Sequence, residues 1–202
     1  MLSGVLDALE RGLAWYGSQS VPSAQAEVCA SRDLFQARLD GLLRHLLRRD
    51  WVADEAALLI AVLGEVGNNT FDHNLGQWRD MPGCWFGREP EHDPPLFWIL
   101  DRGVGILATL RRADPALTGA QQAVDAAFER VLSGRAPERR GNGLKFVRSV
   151  VNGSEGRGLL CQSGGGRVSF GRLLAPLSEA RDRLDAVASP GVASLLAWRS
   201  PS

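Results

Sequence analysis

One stretch of the chain places acidic and amide side chains at helical spacing, which suits the binding of a metal ion and a polyphosphate. Residues 65–73 read Glu-Val-Gly-Asn-Asn-Thr-Phe-Asp-His. On a helix, positions i, i+4, i+7 and i+8 share one face; here they are Glu65, Asn69, Asp72 and His73. Glycine, asparagine and threonine are poor helix formers, and such local breaks tend to occur at functional sites. The alternative is that the helix ends near Gly67 and a polar loop follows.

A second segment joins an apolar strand to a glycine turn. The run 96–100 is followed by Asp101, and then by Gly103 and Gly105. A strand that ends in this way presents a carboxylate, and glycines permit backbone angles and close approaches that other residues do not. The ordinary alternative is a solvated turn with a capping aspartate.

A third segment, Gly141-Asn-Gly143, precedes a helical pattern that begins near Leu144. Free N–H groups at the start of a helix form an anion site, and glycines let a phosphate approach. Lys145 adds a positive charge, although its side chain can equally point to solvent. The chain contains no Gly-x-x-x-x-Gly-Lys-Ser/Thr loop, and the glycines of 164–166 fit a hairpin turn better than a phosphate loop.

Each segment has an ordinary explanation when it stands alone, but their order resembles a known set of motifs. The chain resembles the GHKL superfamily of ATP-binding domains, which includes DNA gyrase, histidine kinases and the anti-sigma-factor serine kinases. Residues 65–73 are similar to its N box, 101–105 to its first glycine box and 141–144 to its second. Residues 107–140 then correspond to an ATP lid, and the hairpin at 158–173 to the final strands of the fold.

The resemblance, which covers about residues 54–175, implies a role for each matching position. Asn69 would coordinate Mg²⁺, which prefers oxygen ligands, and Glu65 would be the general base that activates a water or a substrate hydroxyl. Asp101 would accept a hydrogen bond from the adenine amino group. The other implied nucleotide-binding residues are Gly103, Gly105, Ile106, Gly141, Gly143, Leu144 and Lys145 around base and phosphates, Asn68, Asp72 and His73 towards phosphate and ribose, and Ser163 near adenine. The implied cofactors are ATP and Mg²⁺.

The acidic residue at position 65 favours some branches of the superfamily over others. A glutamate there accompanies hydrolysis or transfer to serine, and the spacing Glu65-x-x-x-Asn69-x-x-x-His73 is most similar to the anti-sigma-factor serine-kinase branch. We therefore expect a bacterial Mg-ATP-dependent regulator, an ATPase or serine/threonine-protein kinase, that switches a protein partner through its lid. Two alternatives stay open: a nucleotide-gated interaction module without essential catalysis, and the ATP-binding part of a histidine kinase. Against the last, His45 lacks the acidic residue expected directly after a phospho-acceptor histidine.

Hydrophobic periodicity predicts the elements that position these segments. Helices are predicted over 2–16, over 34–48, from an N-cap at Asp54, over 119–132 and over 142–152. Strands are predicted over 84–88 and 96–100, and a hairpin over 158–162 and 167–173. Together they predict an α+β protein, a two-layer α/β sandwich with a mixed, mostly antiparallel sheet and helices on one face. The resemblance implies that this is the Bergerat-type ATP-binding fold.

We expect three regions along the chain. Residues 1–50 form a helical extension that either packs over the sheet or forms a homodimer, 51–177 form the ATP-binding domain, and 178–202 are a peripheral tail.

Composition limits the function further. Basic and acidic residues are equal in number, 23 each, so the chain has no electrostatic footprint for nucleic acid or membrane. Cys29, Cys84 and Cys161 are odd in number and too widely spaced for a disulfide framework or a zinc site. The chain shows neither a signal-peptide pattern at its start nor a run of about 18 apolar residues. We therefore expect a cytoplasmic protein.

Overall fold

A computed structural model of the chain describes residues 2–21, 23, 25–74, 77–130 and 142–200, without the side chains of 2–6. The helices in these ranges are α1 (Leu2–Gly17), α2 (Arg32–Arg48), α3 (Ala53–His73), α4 (Gly105–Leu110), α5 (Ala120–Glu129), α6 (Gly143–Asn152) and α7 (Ser178–Asp185). The strands are β1 (Val28–Cys29), β2 (Cys84–Glu89), β3 (Leu96–Asp101), β4 (Arg157–Ser163), β5 (Gly166–Gly171) and β6 (Val192–Trp198).

The strands form one sheet in the order β1-β2-β3-β6-β4-β5, and every neighbouring pair in it is antiparallel. The predicted α+β sandwich with a mostly antiparallel sheet is therefore confirmed. The predicted neighbouring strands are present as β2 and β3, which pair with each other, and the predicted hairpin is present as a second pair, β4–β5. The turn of the second consists of Gly164 and Gly165, whose φ angles of +55° and +89° favour glycine at both positions.

Helices cover both faces of the sheet, so the prediction of two layers with helices on one face is wrong. Phe97 and Ile99 of β3 pack into a core with α2, α3, α5 and α6. Trp98 and Leu100, which point the other way, pack into a second core with α1 and α7. Because both sides of β3 are covered, the strand is buried at every position and reads as a continuous apolar run.

The first fifty residues contribute to both cores. The α1 side chains Leu9 and Leu13 are buried against the second face of the sheet, while Phe35 and Leu39 of α2 pack on the first. Packing over the sheet, one of the two roles that we predicted for this region, thus accounts for its buried leucines. Homodimer formation stays a prediction.

The C-terminal segment is not peripheral as we predicted, because β6 lies in the interior of the sheet. It pairs with β3 on one side and with β4 on the other, and Val192 to Trp198 are buried or half-buried. A short apolar strand gains most burial between two neighbours. Its place at the end of the chain did not indicate this position.

The whole of the first segment, residues 65–73, lies in helix α3. It begins at Ala53 after Val52, which forms no side-chain cap, so the predicted N-cap at Asp54 is wrong. Asp54 instead lies in the first turn, where a negative charge interacts favourably with the helix dipole. The helix continues to His73, which excludes an end near Gly67. In the described part of the chain, no helix combines the length and apolar character needed to cross a membrane.

Candidate functional site

The ends of β3 and α3 face the beginnings of α4 and α6 across a cavity of about 320 Å³. This volume is within the range of small-molecule binding sites. Most predicted site residues line the cavity: Glu65, Asn68, Asn69, Asp72, His73, Asp101, Gly105, Ile106, Gly143 and Leu144. The fold thus brings three distant segments of the sequence to one place. Gly141 lies outside the described residues.

Asp101 is the buried carboxylate of this cavity and only 3% exposed. Its Oδ1 accepts hydrogen bonds from the N–H groups of Gly103 (2.8 Å) and Val192 (3.3 Å), and its Oδ2 accepts one from the Thr70 hydroxyl (3.3 Å). Burial raises the pKa of Asp101 to about 6, although these hydrogen bonds act in the opposite direction. The carboxylate is therefore desolvated and oriented before any ligand binds, which is typical of functional sites.

Two glycines allow the backbone to close around Asp101. A Cβ on Gly191 would overlap the Asp101 carbonyl oxygen, and a Cβ on Gly105 would overlap the carbonyl oxygen of Pro190. Gly105 also has a φ of +82°, which disfavours any other residue. The turn at 189–191 and the start of α4 are therefore in direct backbone contact beside the carboxylate.

Gly103 makes room for an amide rather than for a ligand. A Cβ at this position would overlap the side chain of Asn74. Asn74 is buried, donates from Nδ2 to the Thr70 carbonyl (3.0 Å) and accepts at Oδ1 from the Val104 N–H (3.2 Å). It thereby ties the end of α3 to the glycine turn. We did not predict Asn74, although it directly follows the first segment.

Ser163, which we predicted near the base, lies behind the cavity wall. Its hydroxyl accepts from the Ile106 N–H (3.0 Å) and donates to the Pro190 carbonyl (3.3 Å), and it does not line the cavity. A hydroxyl that does line the cavity is that of Ser194 on β6, next to Cys161. Ser194 was not among the predicted site residues, because we predicted that the C-terminal segment is peripheral.

Glu65 and Asn69 lie one helical turn apart on the wall that faces α6. Glu65 is exposed, and its carboxylate occupies the space that a side chain on Gly143 would need. The Asn69 amide makes no hydrogen bond to any described residue. An acid and an unengaged amide oxygen are thus both available at the mouth of the cavity.

The start of α6 borders the same side of the cavity. Its N-cap, Asn142, makes no hydrogen bond from its side chain to the first turn, so that turn has no side-chain cap. Gly143 and Leu144 line the cavity, and uncapped N–H groups at a helix start favour an anion. Lys145 does not line the cavity, and its Nζ donates to the Asn142 Oδ1 (3.2 Å).

Helix α2 reaches the cavity from outside the predicted motifs. Arg32, at the start of α2, lines the cavity and forms an ion pair with Asp72. One turn further along, Gln36 donates to the Asn68 Oδ1 (3.0 Å). Asn68 and Asp72 therefore hold α2 against α3 as well as lining the cavity. Nothing in the local sequence around Arg32 indicated a site.

The region that we predicted to be an ATP lid is packed structure in its first two thirds. Residues 107–130 contain the rest of α4 from Leu107 and all of α5; Val124 and Phe128 are buried there, and the Phe128 ring lies 5.0 Å from that of Phe170. Thr109, Leu110 and Ala127 form part of the cavity wall. Residues 131–140, the rest of the predicted lid, lie outside the described part.

The donor set fits Mg-ATP rather than a metal held by protein alone. Among the described residues, no cluster of three or more His, Cys, Asp or Glu side chains could hold a metal ion. Mg²⁺ commonly takes only one or two protein oxygens and completes its shell with phosphates and water, and the free amide of Asn69 can supply one. The buried Asp101 carboxylate suits the amino group of a base, because its Oδ2 accepts a hydrogen bond from the Thr70 hydroxyl and retains acceptor capacity.

Comparisons with known proteins give no family assignment. The chain has no significant match to a protein-family model, a curated protein or a solved structure.

Proposed function

We propose that this chain is a Mg-ATP-binding regulatory protein of the GHKL type, with ATPase or protein serine/threonine kinase activity directed at a protein partner. The observation that carries the proposal is the buried Asp101 carboxylate at the inner end of a cavity whose mouth holds Glu65, Asn69 and the start of α6. The proposal includes a Bergerat-type fold, to which α1 and α7 add a layer on the second face of the sheet.

The base would bind at Asp101. Its Oδ1 is already engaged by two backbone N–H groups, whereas Oδ2 receives the Thr70 hydroxyl and retains acceptor capacity. The apolar side chains of Ile99, Ile106 and Val192 line the same part of the cavity and suit the faces of a planar ring. An exocyclic amino group is a donor that matches this acceptor, so the site selects adenine over a base with a carbonyl there.

The phosphates would lie between α3 and α6. Bound Mg²⁺ would offset part of the phosphate charge, and Asn69 is the residue that would hold it. The N–H groups of the first turn of α6 and the Arg32 guanidinium provide positive potential from the protein itself. Because three carboxylates, Glu65, Asp72 and Asp101, also border the cavity, these cationic contributions are needed for a polyanion to bind.

Glu65 would provide the chemistry. It is exposed at the mouth of the cavity, where a water or a serine hydroxyl from a partner can reach it. Its carboxylate would orient that nucleophile and accept its proton as the hydroxyl attacks the terminal phosphorus and the bond to the β-phosphate oxygen breaks. Phosphoryl transfer depends mainly on such positioning and on charge neutralisation.

Thermal unfolding with and without Mg-ATP tests the proposal. At a hundred times its Kd, a ligand stabilises the folded state by about 2.7 kcal/mol, which is a rise in Tm of roughly 5–10 °C for a domain of this size. Asp101→Asn should abolish the rise, while Glu65→Gln should retain it. The proposal fails if no adenine nucleotide changes the Tm of the wild-type protein.

The same Glu65→Gln variant separates an enzyme from a nucleotide-gated interaction module. If turnover is lost and control of the partner is lost with it, catalysis is essential. If control survives without turnover, the gating alternative is correct. The histidine-kinase alternative has less support, since His45 does not line the cavity and its Nε2 lies 2.9 Å from the Glu91 carboxylate.

We also propose a cytoplasmic location. The described residues include three buried free cysteines, Cys29, Cys84 and Cys161. Cys29 and Cys84 are opposite each other in the register of β1 and β2. Unoxidised cysteines at such short range are typical of a reducing compartment.

A further inference from the structure

The residue that follows Asp101 is a fully buried arginine that holds the end of α1. Arg102 is 0% exposed, and its guanidinium forms an ion pair with Asp80. Its remaining donors reach backbone carbonyls at the end of α1 and just beyond: Trp15, Tyr16 (3.2 Å), Ser18 (2.9 Å) and Ser20 (3.3 Å). The same guanidinium stacks on the Trp15 ring at 5.5 Å.

The end of α1 also reaches the other segment that holds Asp101. The Tyr16 hydroxyl donates to the Gly191 carbonyl (3.1 Å), and Tyr16 is 1% exposed. Burial raises the pKa of Tyr16, so the hydroxyl remains a donor at physiological pH. The next residue after Gly191 is Val192, whose N–H donates to the Asp101 Oδ1.

Each of these two contacts is adjacent in sequence to a residue whose N–H donates to the Asp101 Oδ1. Arg102 lies between Asp101 and Gly103, whose N–H is one donor to Oδ1, and Tyr16 holds the carbonyl next to the other donor, Val192. We infer that Arg102 and Tyr16 are positioning residues through which the docking of α1 sets the affinity of the base site. This inference rests on the proposed function, because it identifies how that site is regulated.

If α1 detached from the sheet, the Arg102 guanidinium would become exposed or would lose its hydrogen-bond partners. Arg102 has no exposed surface, and its donors outside Asp80 are satisfied by carbonyls of 15–20. Cations at a helix C-terminus also interact favourably with its dipole. Displacement of α1 would therefore loosen the backbone on both sides of Asp101. By linkage, a nucleotide bound at Asp101 must strengthen the docking of α1 by the same factor.

Tyr16→Phe is the sharpest test, because it removes one hydroxyl and keeps the ring that fills the core. We expect Mg-ATP and Mg-ADP both to bind more weakly, by up to about fivefold if the free energy of one ordinary hydrogen bond is fully coupled to binding, since the loss acts on the base and not on the terminal phosphate. The matched control is Arg183→Gln. It breaks the solvent-exposed ion pair between α7 and Glu10 of α1, which contributes little to the docking of α1 and makes no contact with Asp101, and it should leave both affinities within twofold.

Amide hydrogen exchange of the nucleotide-free protein provides a second measurement. Tyr16→Phe should speed exchange in peptides that contain Gly103 and Val192, while Arg183→Gln should not. In the wild-type protein, Mg-ATP should slow exchange across α1. The inference would be overturned if Tyr16→Phe leaves the nucleotide affinity unchanged, or if it weakens the binding of Mg-ATP but not that of Mg-ADP. It would also be overturned if both variants have equal effects. If the wild-type protein binds no adenine nucleotide, the proposed function fails, and exchange at Val192 in the two variants still decides whether α1 positions Asp101.

Discussion

Asp101→Asn separates the cost of burying a charge from the benefit of binding a base. The pKa of Asp101 is raised from 3.8 to about 6, because burial penalises the charged form more than hydrogen bonds favour it. One pKa unit corresponds to about 1.4 kcal/mol, so the ionised carboxylate lowers the stability of the folded state by about 3 kcal/mol at neutral pH. Asparagine preserves the local bonds, since its Oδ1 can accept from Gly103 and Val192 and its Nδ2 can donate to the Thr70 hydroxyl.

The pH dependence of this effect has a definite sign. Between pH 3.8 and about 6, the folded protein binds more protons at Asp101 than the unfolded chain does. The wild-type protein therefore loses stability as the pH rises through this window, and Asp101→Asn does not share that loss. We expect equal stabilities near pH 4, and a variant that is up to about 3 kcal/mol more stable at pH 7.5, or roughly 6–12 °C in Tm.

Urea unfolding of both proteins from pH 4 to 8, with and without Mg-ATP, measures the two effects together. Saturating Mg-ATP should stabilise only the wild-type protein. Asp80→Asn is a control of opposite sign: the pKa of Asp80 is lowered, chiefly by its hydrogen bond from Arg102, and its neutralisation leaves that buried cation unpaired and destabilises the fold. The reasoning is refuted if Asp101→Asn is less stable at pH 7.5 by an amount that does not vary with pH. It is equally refuted if Mg-ATP stabilises the variant as much as the wild type.

Three further outcomes are expected. Arg32→Gln should weaken the binding of ATP more than that of ADP, by about three- to tenfold for one charge-assisted contact. Calorimetric titration with both nucleotides checks this, and equal weakening of the two would exclude a role of Arg32 at the terminal phosphate. Gly67→Ala should lower the free energy of unfolding by about 1–3 kcal/mol, because a Cβ would overlap the aromatic ring that packs there. Gly64→Ala meets only an ordinary contact at 3.8 Å and should be neutral or stabilising by up to about 1 kcal/mol. Urea unfolding of the two variants compares them. Gly143→Ala should displace the flexible Glu65 carboxylate. It should reduce ATP turnover at least tenfold while the Kd for ATP changes less than threefold. Turnover at the wild-type rate would mean that the position of Glu65 is not critical.

Elements with a strong local pattern could be predicted from the sequence. The apolar run before Asp101, the helical spacing from Glu65 to His73 and the glycines at 164 and 165 are β3, the end of α3 and a hairpin turn in the structure. In each case the physical cause is local: a side-chain period, or a backbone angle that one residue type adopts without strain. The cavity-wall residues that lie in β3 and at the end of α3 could be predicted for the same reason.

Local rules also gave a wrong reason for one feature. The glycine of the first segment, with its asparagines and threonine, suggested a functional break in the helix. Gly67 instead accommodates the ring of Phe35, which comes from α2 and lies 32 residues earlier in the chain. A contact between two helices was decisive, and nothing in the immediate neighbourhood of Gly67 indicates its partner.

The sequence by itself determined which groups are available for chemistry, since their types and spacing are local properties of α3, the glycine turn and the start of α6. Only the tertiary structure decided what surrounds them. The position of β6 between β3 and β4 brings Val192 and Ser194 to the cavity, and the end of α1 brings its carbonyls to Arg102. The pairing of β6 with β3 and the burial of Arg102 join residues more than eighty positions apart, and the free energy of such contacts depends on the whole packed fold. The raised pKa of Asp101 is therefore a property of the tertiary structure, although the aspartate itself is plain in the sequence.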